Sequence, residues 1–172
     1  MNIKLSQNFF SRDCLEVAPD LVGKILVRIL PDGTVIKERI SETEAYRGEE
    51  DKACHASKGK TKRTEILYGD NGMIYVYLCY GIHWLMNITT GEKNNPQCVL
   101  IRAGEVHDGP AKLTKYLQID GSFNNRKICG NPDIWLEDDG FRPEIKTASR
   151  VGIDYAGDYW KNIEWRFIAD GK

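Results

Sequence analysis

The side chains most able to do chemistry crowd into one stretch, Ser41 to Ser57, which reads SETEAYRGEEDKACHAS. Glu42 and Glu44 alternate along a β-like segment, Tyr46 follows at the same parity, and Cys54 and His55 stand side by side beyond an acidic loop. Four chemistries could use such a set: a metal site, a cysteine nucleophile with its base, a carboxylate base beside an aromatic pocket, or none, if this is a polar loop after a strand. Zinc requires three or four ligands at recognisable spacings. The chain has three histidines and no H-E-x-x-H, and its five cysteines, at positions 14, 54, 79, 98 and 129, form no C-x-x-C pair, so no metal is expected. Cys54 and His55 are chain neighbours whose side chains diverge in an extended strand, and core packing explains Cys54 more simply.

A carboxylate facing a ring can activate a water if a nearby cation keeps it ionised. Arg102 is a candidate for that cation, because it ends the apolar run QCVLIRA and a guanidinium is rarely buried without an anion to meet it. On these residues alone, a buried ion pair at a strand end accounts for the pattern equally well. Tyr68 and the run YVYLCYG add flat rings. At least one of Tyr75 and Tyr77 is expected to be core, yet Tyr46 and Tyr77 could face a cavity sized for a nucleobase.

The elements that must position these groups follow from periodicity. SRDCLEVAPDLVGK reads as an amphipathic helix capped by Ser11 or Asp13, with Pro19 a break or bend. Two β-like runs flank the Pro31-Asp32-Gly33 turn; if the second is regular, Ile36, Ile40, Glu42, Glu44 and Tyr46 lie on one face. Met73 to Cys79 and His83 to Thr89 form antiparallel strands joined near Tyr80-Gly81, and QCVLIRA a third. A helix starts at Pro110; IWLED, EIKTASRVGID and IEWRFIAD read as further strands. The expected fold is α+β, a single domain over residues 1–172, with a mainly antiparallel, curved sheet and a few flanking helices.

With 172 residues, 41% hydrophobic and 28% charged, the chain has the composition of an ordinary globular domain, and no apolar run is long enough to span a bilayer. The N-terminal residues lack the pattern of a signal peptide, so an intracellular, reducing compartment and free thiols are expected. A formal charge of −1 does not itself point to nucleic acid, but Lys58, Lys60, Lys62 and Arg63 cluster in KGKTKR beside the acidic loop.

Taken together, SETEAYRGEEDKACHA, GMIYVYLCYGIHWLMNI, CVLIRAGE and GPAKLTKYL resemble the alkyladenine (3-methyladenine, methylpurine) DNA glycosylase family, from about Phe10 to about Ile168. The resemblance implies a monofunctional enzyme without cofactor or metal that flips alkylated or deaminated purines out of duplex DNA and hydrolyses the N-glycosidic bond, initiating base excision repair. It implies Glu44 as the base that deprotonates water, with Arg102 close to it. Tyr46, His55 and Tyr77 would sandwich the extruded base, Asn87 would oppose the guanine amino group, and Tyr80 would wedge into the duplex. Lys58, Lys60, Lys62 and Arg63 then become candidates for phosphate contact, and a monomer acting on duplex DNA is expected. The rival readings are a non-catalytic DNA-damage binding or bending protein and a small metal-dependent hydrolase. The chain departs from the family pattern in having Arg63-Thr64 where Arg-Asn is usual, a short Arg102 to Gly109 connection and a short C-terminal tail. These departures bear on peripheral DNA contacts and damage range, not on the pocket.

Overall fold

The computed structural model describes residues 2–171. In chain order the strands are β1 (Ile3–Lys4), β2 (Ile25–Ile29), β3 (Val35–Arg47), β4 (Met73–Cys79), β5 (His83–Thr90), β6 (Gln97–Gly104), β7 (Arg126–Lys127), β8 (Ile134–Asp138), β9 (Ile145–Ala148) and β10 (Arg166–Ala169). The helices are α1 (Gln7–Phe10), α2 (Cys14–Leu21), α3 (Pro110–Tyr116) and α4 (Asp158–Asn162). The strands run in the spatial order β1-β8-β2-β3-β6-β5-β4-β7, with β10 attached to β3 and β9 to β10, and every pairing is antiparallel. This is the α+β architecture with a curled antiparallel sheet. Among the described residues no helix is long and apolar enough to cross a membrane.

The axis of the fold is β3. Residues 35–39 pair with β2, residues 40–47 with β6, and β10 takes over the β2 side along Glu42 to Glu44. Where the partners change, the ladder is irregular between Ile40 and Thr43. One extra residue in a strand reverses which face its side chains meet. Ile36, Ile40 and Ala45 therefore all enter the main core and Thr43 donates to the carbonyl of Ala18, while Glu44 and Tyr46 line a cavity on the opposite face. The regular alternation expected from sequence is corrected here: Ile36 and Ile40 do not share a face with Glu44 and Tyr46. The bulge separates core from cavity within a single strand.

The core lies between the sheet and the helices, with Phe10, Val17, Ala18, Leu21, Leu113 and Leu117 packing on Ile74, Met86, Ile88, Val99 and Ile101. Fully burying one such aliphatic side chain stabilises the fold by roughly 1.5–3 kcal/mol. Asp13 caps α2 through the Leu15 N–H at 2.9 Å, and Pro19 sits within the helix rather than ending it. The segment after β9 corrects a second expectation, since the strand stops at Ala148 and Arg150 turns into the interior. Cys14, Cys54 and Cys98 are buried thiols, as a packing role requires.

The short Arg102 to Gly109 connection is pinned by Glu38, which accepts the Val106 and His107 N–H groups at 2.8 and 3.2 Å and meets the His107 ring at 3.1 Å. Tyr116 of α3 stacks on that ring, with centroids 3.7 Å apart. The connection thus delivers Pro110 and Ala111 to the cavity wall.

Candidate active site

Antiparallel register places the key side chains in one row. Glu44 of β3 lies opposite Leu100 of β6, Leu100 opposite Asn87 of β5, and Asn87 opposite Tyr75 of β4. All four line a cavity of about 570 Å³ together with Tyr46, His55, Tyr77 and Arg102. That volume falls in the range typical of small-molecule sites.

Glu44 is wholly buried, yet both its oxygens are engaged. Tyr46 donates its hydroxyl to Oε2 at 2.7 Å, the Val151 N–H donates to Oε1 at 2.8 Å, and Arg102 Nε lies 3.7 Å from Oε1. Burial raises the carboxyl above its ordinary range; the Tyr46 and Val151 hydrogen bonds and the Arg102 charge pull in the opposite direction. Arg102 makes its closer contact with Glu42 at 2.7 Å, and Arg166 of β10 reaches the same Glu42 oxygen at 3.0 Å. Two carboxylates and two guanidinium groups therefore cluster here, of which Glu44 and Arg102 line the cavity.

The rings form the walls. Tyr46 projects from β3, and burial, with Glu44 beside it, raises its hydroxyl well above the ordinary phenol range. His55 opens a short 3-10 turn, His55–Lys58, and meets Tyr77 edge-on at 4.6 Å, so these two rings make one wall rather than two separate faces. Its Nδ1 lies 2.8 Å from the Tyr75 hydroxyl. Burial, followed by the charges of Arg63 and Lys58, pushes the imidazole down to about 4, which keeps it neutral near pH 7. Tyr75 is 2% exposed and is the buried member of the tyrosine pair. Asn87 is locked from both ends: its amide nitrogen donates to the Tyr75 carbonyl at 3.2 Å and its oxygen accepts the Cys98 thiol at 3.8 Å.

The cavity mouth is framed by the β4–β5 hairpin, where Tyr80 is 87% exposed and holds a left-handed φ of 51° beside Gly81. The basic run divides. Lys58, Lys60 and Lys62 are exposed, whereas Arg63, although exposed itself, lines the cavity with its guanidinium 5.3 Å from the centre of the Tyr77 ring. Thr64, standing where the resemblance leads one to expect Asn, is buried, accepts the Thr61 N–H at 2.8 Å and donates to the Gly59 carbonyl at 2.9 Å. It closes the loop on itself.

Every residue singled out from sequence for the base pocket, together with Glu44, Arg102, Tyr80 and Arg63, borders this one cavity. Cys54, by contrast, is 2% exposed and its thiol is pushed up to about 12 by burial, which leaves it unsuited to nucleophilic attack. Among the described residues no group of three or more His, Cys, Asp and Glu side chains is placed to hold a metal ion. Sequence reasoning missed Val151, Tyr155, Arg166 and the buried Asp51–Arg150 pair, which carry no local motif and reach the site from the loop after β3, the segment after β9, and β10.

A family model described as methylpurine-DNA glycosylase matches residues 8–109 and 105–172. A relative from Psychrobacter cryohalolentis is 43% identical over 180 residues, covering 88% of this chain and 85% of its own. One from Desulfitobacterium hafniense is 41% identical over 195 residues, covering 97% and 95%. One from Methanocella arvoryzae is 41% identical over 183 residues, covering 95% and 90%. All three are provisionally named 3-methyladenine DNA glycosylases.

Proposed function

Because the chain belongs to the methylpurine-DNA glycosylase family, we propose that it acts as one unit, as a monomer, hydrolysing the N-glycosidic bond of a damaged purine swung out of duplex DNA. The observation that carries this reading is the Glu44 carboxylate: fully buried, held by Tyr46, Val151 and Arg102, and bordering a cavity walled by Tyr46, Tyr77 and His55.

Swinging a nucleotide out of the stack costs a few kcal/mol, least where the base is already damaged or mispaired. Stacking on aromatic rings returns about 1–3 kcal/mol per base. Tyr46 on one side and the Tyr77–His55 wall on the other supply that surface. Tyr80 fills the space the nucleotide leaves, since it is the exposed ring at the tip of the hairpin beside the cavity. Lys58, Lys60 and Lys62 lie on solvent-facing backbone next to His55, where phosphates flanking the lesion would pass.

Breaking the bond to C1′ builds positive charge on the sugar. An ionised Glu44 stabilises that charge and accepts a proton from water as the water oxygen bonds to C1′, while the bonding pair leaves with the base. A base alkylated at N3 or N7 departs as a neutral molecule. An uncharged base such as hypoxanthine needs a proton or hydrogen-bond donors at its edge, and the neutral His55 and the amide of Asn87 stand beside that edge. This chemistry uses no metal and no cofactor, and among the described residues no lysine lines the cavity to form a Schiff base.

The test is incubation with duplex oligonucleotides carrying single 3-methyladenine, 7-methylguanine, hypoxanthine or ethenoadenine lesions, with chelator present, followed by a search for abasic sites. Base release from at least one duplex is expected. Tight lesion binding with no release from any of them would replace the enzyme with a damage-binding protein.

A further inference from the structure

Behind Tyr46 lies an ion pair that the pocket residues do not explain. Arg150 and Asp51 are both fully buried at the side chain. Two nitrogens of Arg150 meet the two oxygens of Asp51 at 2.6 and 2.9 Å, and the same fork reaches the Ala45 carbonyl at 3.0 Å. The guanidinium lies over two rings, 4.8 Å from the centre of Tyr46 and 5.1 Å from that of Trp165. Its Nε has no hydrogen-bond partner among the described residues. A buried pair of this kind contributes little net stability over apolar packing, so its presence calls for another account.

Its connections give one. Asp51 also accepts the N–H groups of Arg47 and Ala53, at either end of the loop between β3 and His55. The residue after Arg150 is Val151, whose N–H holds one oxygen of Glu44, while Tyr46, stacked on the Arg150 guanidinium, holds the other. The pair therefore joins the strand that bears the carboxylate, the loop that leads to His55, and the segment that supplies the second hydrogen bond.

We propose that Arg150, gripped by Asp51, is a positioning residue that fixes the Val151 N–H and the Tyr46 hydroxyl on Glu44 and so keeps that carboxylate aimed and ionised for the reaction. This rests on the reading of Glu44 as the base. Glu44 is also faced by Glu42 on its own strand, Arg102 on β6 and Arg166 on β10, with His55 and Tyr77 on the cavity wall. Both tyrosines, raised by burial, stay neutral through the working range, while His55 titrates only near about 4. Glu44 is thus the group in this set whose titration the two hydrogen bonds would move.

The experiment is a pH profile of single-turnover base release by the full-length protein and Arg150→Lys, on whichever single-lesion duplex the wild type cleaves. Lysine keeps the cation but loses the planar fork and the stacked face. The acid limb should move upward by about one unit, which costs the variant up to about tenfold more rate on the limb than on the alkaline plateau. An equal loss at every pH, or none, would overturn the proposal by reducing Arg150 to a structural role or to no role. If Arg150→Lys does not fold by thermal melting, Asp51→Asn, which keeps Arg150 but weakens the grip on it, carries the same expectation and the same refutation. Glu44→Gln separates the two claims: cleavage at the wild-type rate would mean that the base assignment itself has failed, whereas an inactive Glu44→Gln beside an unmoved acid limb in Arg150→Lys would mean that only the role of Arg150 has failed.

Discussion

At Glu44, burial favours the protonated acid, while two hydrogen bonds and a neighbouring guanidinium favour the anion. Because burial prevails, the carboxyl holds its proton to higher pH than a free glutamate, and the base form is lost as pH falls through that raised value. The acid limb of base release should therefore lie above the ordinary 4.5. Tyr46→Phe removes a hydrogen bond that lowers Glu44, so its acid limb should sit higher still; an unchanged limb would separate the hydroxyl from the carboxylate's titration. His55 makes a different prediction. The unfolded chain protonates it near 6.5 and the folded chain only near about 4, so between these values the unfolded state holds the extra proton and acidification erodes stability. His55→Gln should lose less melting temperature than the wild type between about pH 7 and about pH 5.

At the scale of the elements, the β4–β5 hairpin and the loop after His55 face solvent and owe little to the core. Tyr80 is 87% exposed, so Tyr80→Ala should leave stability within about 0.5 kcal/mol of wild type while weakening binding to lesion duplex. Stability lost instead of affinity would place the ring in a folding role. Each phosphate contact contributes roughly 0.9 to the slope of log affinity against log salt. Replacing Lys58, Lys60 and Lys62 by alanine should flatten that slope by up to about three such increments, and an unaltered slope would remove these lysines from the DNA interface. Much of this level was legible in the sequence. The Pro31-Asp32-Gly33 turn, the β4 and β5 strands and the start of α3 at Pro110 depend on local turn chemistry and on alternation, which a sequence displays directly. The bulge in β3 was not legible, because it arises where β2 gives way to β10 and that exchange of partners leaves no mark on the strand's own residues.

At the scale of the whole molecule, the same distinction separates what was seen of the site from what was missed. Glu44, Tyr46 and His55 fall within one short stretch, and Arg102, Asn87 and Tyr77 lie on the next three strands of the sheet, β6, β5 and β4, so these motifs converge once the sheet is formed. The Asp51–Arg150 contact spans 99 positions, and Asp51 reads as one more acid in a solvated loop until the chain beyond Ala148 folds back over it. Arg166 reaches Glu42 across 124 positions in the same way. The later third of the chain completes the site from behind, holding groups that the earlier two-thirds presents to the cavity. The most direct test of the central claim is single-turnover base release by Glu44→Gln, measured beside its affinity for the same lesion duplex. The account predicts a rate lower by about 10²–10⁴-fold with lesion binding retained; release at the wild-type rate would contradict it.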